Sequence, residues 1–128
     1  LETFCCIMPH DDAMWEAAAQ IESLDNLVTD IYCTNNDRDL AEMGPIIERM
    51  ASITQQRGKI HHEWLECWRV EAGREDRVRQ QGEIMVRSKP DAFYVWAWEG
   101  QIGTKESCAN PELAWSKAVE VLRLAKEI

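Results

Sequence analysis

The chain lacks any apolar run approaching the roughly 20 residues that a membrane span needs; its longest runs, such as Phe93 to Trp98, are far shorter. No basic stretch leading into an apolar core opens it, so no secretory leader is expected. Glycine and proline are scarce, at 6 and 4 of 128 residues, while apolar residues make up 45%, which excludes collagen-like, low-complexity and wholly disordered chains. There is no C-x-x-C pair, and the 5 cysteines (Cys5, Cys6, Cys33, Cys67, Cys108) are odd in number, which argues against a disulfide framework. The glycines form neither G-x-G-x-x-G nor a phosphate loop, and G-x-S-x-G and H-E-x-x-H are missing too. These absences predict one soluble, cytoplasmic domain over residues 1–128 with reduced thiols and no cofactor.

Positive charge is scarcest in the first third. Residues 1–39 hold nine acids against Arg38 alone, whereas the remainder is nearly balanced, and the chain totals −9. Such a balance opposes nucleic-acid phosphates and anionic membranes, so a protein partner with a basic surface is the expected kind.

Hydrophobic spacing suggests the elements. Residues 1–8 read as a short buried strand ended by Pro9. From 11 to 33, Met14, Ile21 and Val28 share one heptad position and Ala17, Leu24 and Ile31 another, which predicts a long amphipathic helix with Asp12, Glu16, Glu22 and Asp30 on its outer flank. A turn over 34–37 and a start at Pro45 lead to a second helix, seamed by Met43, Met50, Arg57 and Trp64 and by Ile46, Ile53, Ile60 and Cys67, with Gly58 a candidate break. Residues 74–82 read as loop or frayed helix, 84–86 as a strand, 92–98 as the strongest strand, and 101–104 as its hairpin partner. Asn110 and Pro111 then start a C-terminal helix. The expected fold is α+β: a long antiparallel helical hairpin packed with a small antiparallel sheet of 3–4 strands and a final helix.

Four constellations are candidates for chemistry. His61, His62 and Glu66 are the metal candidates, since His62 and Glu66 share a face if the segment is helical; the favoured reading sets His61 beside the hydrophobic seam and His62, Glu63 and Glu66 on a hydrated helix flank. Cys108 lies two residues before the Asn110 cap, where a helix N-terminus favours thiolate. Tyr94, Trp96 and Trp98 alternate along one strand face, either buried in a core or able to stack on a ligand. Trp15 is a potential interface anchor beside Asp12, Glu16, Glu22, Asp25 and Asp30. The favoured expectation is a non-catalytic acidic interaction protein, an inhibitor or adaptor. It would present those carboxylates to a basic surface, such as a nucleic-acid-binding groove, with no direct nucleic-acid contact and no membrane. The alternatives are a small metal- or thiol-dependent enzyme, and a structural subunit acting through self-association as a homodimer.

Overall fold

Four short apolar segments, each followed by a helix, organise the chain. The computed structural model describes residues 2–7, 11–34, 38–97 and 107–127. The strands are β1 (Phe4–Ile7), β2 (Asn26–Thr29), β3 (Ile60–Glu66) and β4 (Ala92–Trp96). The helices α1 (Asp12–Ala19), α2 (Leu40–Gln56), α3 (Glu75–Arg87) and α4 (Pro111–Ala125) alternate with them. The strands lie in the order β1-β2-β3-β4, and every neighbouring pair is parallel. Stepping one strand at a time in the same direction, through crossovers of one hand, puts the three crossover helices α1, α2 and α3 on one face of the sheet, and α4 joins them in the same core. Consistent with that, α1 packs on α2, α2 on α3 and α3 on α4.

This arrangement corrects the expected one. The sheet is all-parallel rather than antiparallel, and no helical hairpin forms. The predicted helix over 11–33 breaks after α1: Asp11 caps it by accepting the Met14 N–H at 2.7 Å, but it ends at Gln20, and β2 follows. Leu27 and Val28 have no exposed surface. All four residues of β2 are buried, so it shows no alternation, and its apolar run can satisfy a heptad by coincidence. The second predicted helix is likewise shorter. Asp39 caps α2 by accepting the Ala41 N–H, Pro45 lies inside its early turns rather than at its start, and Gly58 ends it with φ +67, a left-handed backbone that glycine adopts without strain. The segment from Ile60 onward is β3. Residues 84–86 belong to α3, and the expected strand at 101–104 lies outside the described residues.

The core fills the space between sheet and helices. Odd-numbered strand residues, Leu27, Leu65, Phe93 and Val95 among them, pack there against Ile47, Met50, Met85, Ala118 and Val121. Gly82 lets α3 and α4 approach closely, because a Cβ there would sit 2.5 Å from Val121 Cγ2. Asn110 ties the helix starts together, donating from its side chain to Glu75 Oε1 at 2.6 Å. No helix among the described residues is long and apolar enough to cross a membrane.

Candidate functional site

Strand geometry sends alternate side chains to opposite faces, so the even-numbered residues of all four strands turn away from the helices. They carry Phe4, Cys6, Val28, His62, Trp64, Glu66, Tyr94 and Trp96. The register sets Trp64 beside Tyr94 and Glu66 beside Trp96. Trp64 and Trp96 stack with ring centroids 5.6 Å apart at 17°, while Tyr94 meets Trp64 edge-on at 6.4 Å and Phe4 reaches Trp64 from across β2 at 6.2 Å. A groove of about 340 Å³ runs between Phe4, Asn26, Val28, His62, Trp64 and Tyr94. Phe4, Tyr94 and Trp96 remain 59%, 49% and 47% exposed, large aromatic surfaces to leave in water.

In parallel sheets, ligands bind at the carboxyl ends of the strands, where the loops that carry function emerge. That end collects polar groups here. The Cys6 thiol donates to Asp30 Oδ2 at 3.5 Å, and the Tyr32 hydroxyl bonds the same carboxyl group. Asp30 Oδ1 has no hydrogen-bond partner among the described residues, nor has the buried indole Nε1 of Trp64. Burial holds the Asp30 carboxyl above its ordinary value despite these donors. Glu66, fully buried at the end of β3, accepts the Thr34 N–H at 3.0 Å. Trp68 packs against Tyr32 at 6.0 Å, with the Arg69 guanidinium 5.2 Å above its ring. A roomier cleft, about 420 Å³, opens between Val86, Lys89, Pro90 and Phe93. It lies at the amino end of β4, away from the end where such sheets place their chemistry.

A scan of family models and searches of curated proteins and solved structures find no match to this chain. The site must be read from its own residues.

The structure disperses the acidic set. Asp12 pairs with Arg49 at 2.7 Å on the outside of α1 and α2, and Glu16 is exposed on α1. Glu22 lies in the turn after α1, and Asp25 is held by the Thr3 amide at 2.8 Å. Asp30 lies at the opposite end of β2. The single helical flank that was to present these carboxylates together is not formed. Trp15 has no exposed surface, and its indole N–H donates to Met50 O and Thr54 Oγ1, each at 3.1 Å, so it is a core residue rather than a surface anchor.

The metal candidates separate for the same reason. On a strand His61 and His62 face opposite ways, and His62 and Glu66, four residues apart, are separated by roughly 13 Å along it. His61 turns into the core, 2.5 Å from Glu63 Oε1 and 3.2 Å from Thr29 Oγ1. Burial pushes the Glu63 carboxyl up and the His62 imidazole down. Among the described residues no three histidine, cysteine or acidic side chains are grouped to hold a metal. Cys108 is buried against Cys67, whose carbonyl its thiol meets at 3.5 Å; contact with the Cys67 thiol, followed by backbone N–H groups, brings Cys108 down to about 7. Of the expected aromatic row, Tyr94 and Trp96 lie on the open face, and Trp98 is outside the described residues.

The residues that sequence reasoning missed as a group are Cys6, Asp30, Tyr32, Trp64, Glu66 and Trp68. Their signal was a recurring one: each apolar segment is followed at once by polar or aromatic residues, as in Asp30-Ile31-Tyr32 and Glu66-Cys67-Trp68.

Proposed function

We propose that the chain binds neutral carbohydrate at the carboxyl end of its sheet. The observation that carries the reading is the stacked Trp64–Trp96 pair next to Asp30 and Glu66. A sugar ring has an apolar C–H face and a rim of hydroxyls, so it suits a flat aromatic surface flanked by hydrogen-bonding groups. Asp30 Oδ1 and the Trp64 indole N–H lie buried beneath that surface with no hydrogen-bond partner among the described residues. Two other stacking ligands fit less well. Nucleic acid brings phosphates toward a chain of net charge −9. An organic cation prefers ionised carboxylates and an enclosing aromatic cage, whereas burial favours the neutral form of Asp30 and the aromatic rings form an open platform.

The same residues extend the reading to hydrolysis. A carboxyl group held toward its neutral form, on the same face as a second carboxyl group, is the kind of set that glycosidic bond cleavage uses, one protonating the leaving oxygen and the other acting on the opposite side of the sugar. Asp30 takes the acid role and Glu66 the carboxylate role.

Titrating the chain with gluco-, xylo-, manno- and chito-oligosaccharides, read by tryptophan fluorescence and calorimetry, tests the binding. One of these should bind, and Trp96→Ala should weaken it about tenfold or more, a loss of about 1.4 kcal/mol. Silence across all four sugars, or preference for tetramethylammonium or an oligonucleotide, overturns the reading. Reducing-sugar release in the same samples tests hydrolysis, which Glu66→Gln should abolish with binding retained.

A further inference from the structure

We propose that two copies of the chain close, open faces inward, into one eight-stranded parallel barrel. This goes beyond the carbohydrate reading and does not depend on it. Parallel strands in sequential order, each followed by a helix on the same outer face, have the topology of a barrel wall, and eight strands is the number whose interior side chains can fill. The described residues supply four. A two-fold axis along the strands keeps all eight parallel and pairs β1 of each copy with β4 of the other, so both new contacts are equivalent and the assembly closes.

The surfaces fit such a closure. All-parallel sheets occur almost only with both faces covered, yet here one face exposes Phe4, Tyr94 and Trp96. Closure would also set α1 of one copy beside α4 of the other. On α1, Asp12 faces α2 through Arg49 and Met14 lies roughly half a turn away on the outer flank, with Ile21 just past the end of the helix; Met14 and Ile21 are 48% and 50% exposed. On α4, Lys117 and Val121 face α3, and Trp115, Val119 and Leu122 form the other flank, half-buried and apolar. The two end helices therefore turn apolar surface to where each would meet its neighbour. Covering Phe4, Met14, Ile21, Ile60 and Tyr94 removes roughly 500 Å² from each copy, so the pair reaches the roughly 1,000 Å² of a specific interface before any strand backbone is counted. The residues named at the carboxyl end would then meet their symmetry mates around one mouth, so that a single copy holds half of the site.

Sedimentation across a wide concentration range, combined with hydrogen exchange, tests this. The expected result is a dimer of twice the 14.8 kDa chain mass, in which the β1 amides facing away from β2 are protected. Two chains of net charge −9 repel, so added salt should tighten this dimer, whereas docking of a basic partner would loosen with salt. Tyr94→Glu should give a monomer of unchanged helical content, and Glu48→Lys, on the exposed side of α2, should leave the dimer intact. A monomer at every concentration overturns the proposal. So does an open-ended oligomer, or a dimer whose outward β1 amides exchange as fast as loop amides. Sugar binding is read separately by fluorescence, so either idea can fail without the other.

Discussion

The two faces of the sheet hold aromatic residues under opposite conditions. Toward the helices, Trp15 is wholly buried, both acceptors of its indole N–H are in place, and His61 lies 6.2 Å from its ring. On the other side Trp64 has no partner for its N–H among the described residues, and Trp96 keeps nearly half its surface in solvent. The first environment is finished by the chain itself. The second is left for something else to finish, and substitutions on the two faces should therefore fail in different assays. Trp15→Ala should cost about 3–5 kcal/mol, the largest loss expected here, because it opens a cavity and removes the indole donor to Met50 O and Thr54 Oγ1, although those two stay bonded to each other. Trp96→Ala should lose less than half as much stability and most of the sugar affinity. Equal losses in urea unfolding would erase the distinction between the faces.

A smaller effect probes the packing behind the core face. A methyl group at position 82 would fall 2.5 Å from Val121, so Gly82→Ala should force α3 and α4 apart at a cost of about 1–3 kcal/mol, outweighing the helix propensity that alanine brings. Because this strain lies between helices, ligand binding at the carboxyl end should change little. An unaltered unfolding midpoint would mean the helices do not meet so closely.

Some elements were legible in the sequence but little of this contrast was, and the reasons are specific. The odd and even alternation over 92–96 was read correctly as a strand, and α4 was announced by Asn110 and Pro111. The segment 60–66 was misread because Ile60, Trp64 and Cys67 continue the heptad of α2, although Gly58 had already ended that helix. Four-residue strands such as β2 carry too few positions to establish a period, and burial on both faces removes the alternation that would reveal them. The misassigned strands concealed the candidate site, since Asp30 and Glu66 come onto one face of the sheet only through parallel pairing of β2 and β3. No local spacing encodes that pairing.

Acidity distinguishes the faces again. Burial raises the Glu63 carboxyl above its ordinary 4.5, with the His61 contact pulling the other way but not prevailing. The native state then keeps a proton that the unfolded chain releases from about pH 4.5 upward, so this contribution to stability is fully present below that pH and is lost as pH rises through the native value. Asp30 adds a slope of the same sign from the open side. Glu63→Gln should flatten the decline in unfolding midpoint above pH 4.5 more than Asp30→Asn does, because Glu63 is wholly buried and Asp30 only partly so. A steeper decline in either variant would reverse the assignment.

The smallest effect concerns Cys6, whose thiol opens toward solvent on the even face. Partial burial, then the charge of Asp30 and the hydrogen bond to it, push this thiol up to about 12, so almost none is thiolate at neutral pH. Alkylation by iodoacetamide, followed at Cys6 by peptide mass spectrometry, should therefore be slow despite access. Asp30→Asn removes the neighbouring charge and leaves the burial, which is the larger cause, so the rate should rise only a fewfold. A rise of several hundredfold would make charge rather than burial the dominant influence, and would mean that Asp30 is fully ionised. In that case the open face would attract cations, and the neutral-sugar reading would lose the argument that separates it from them.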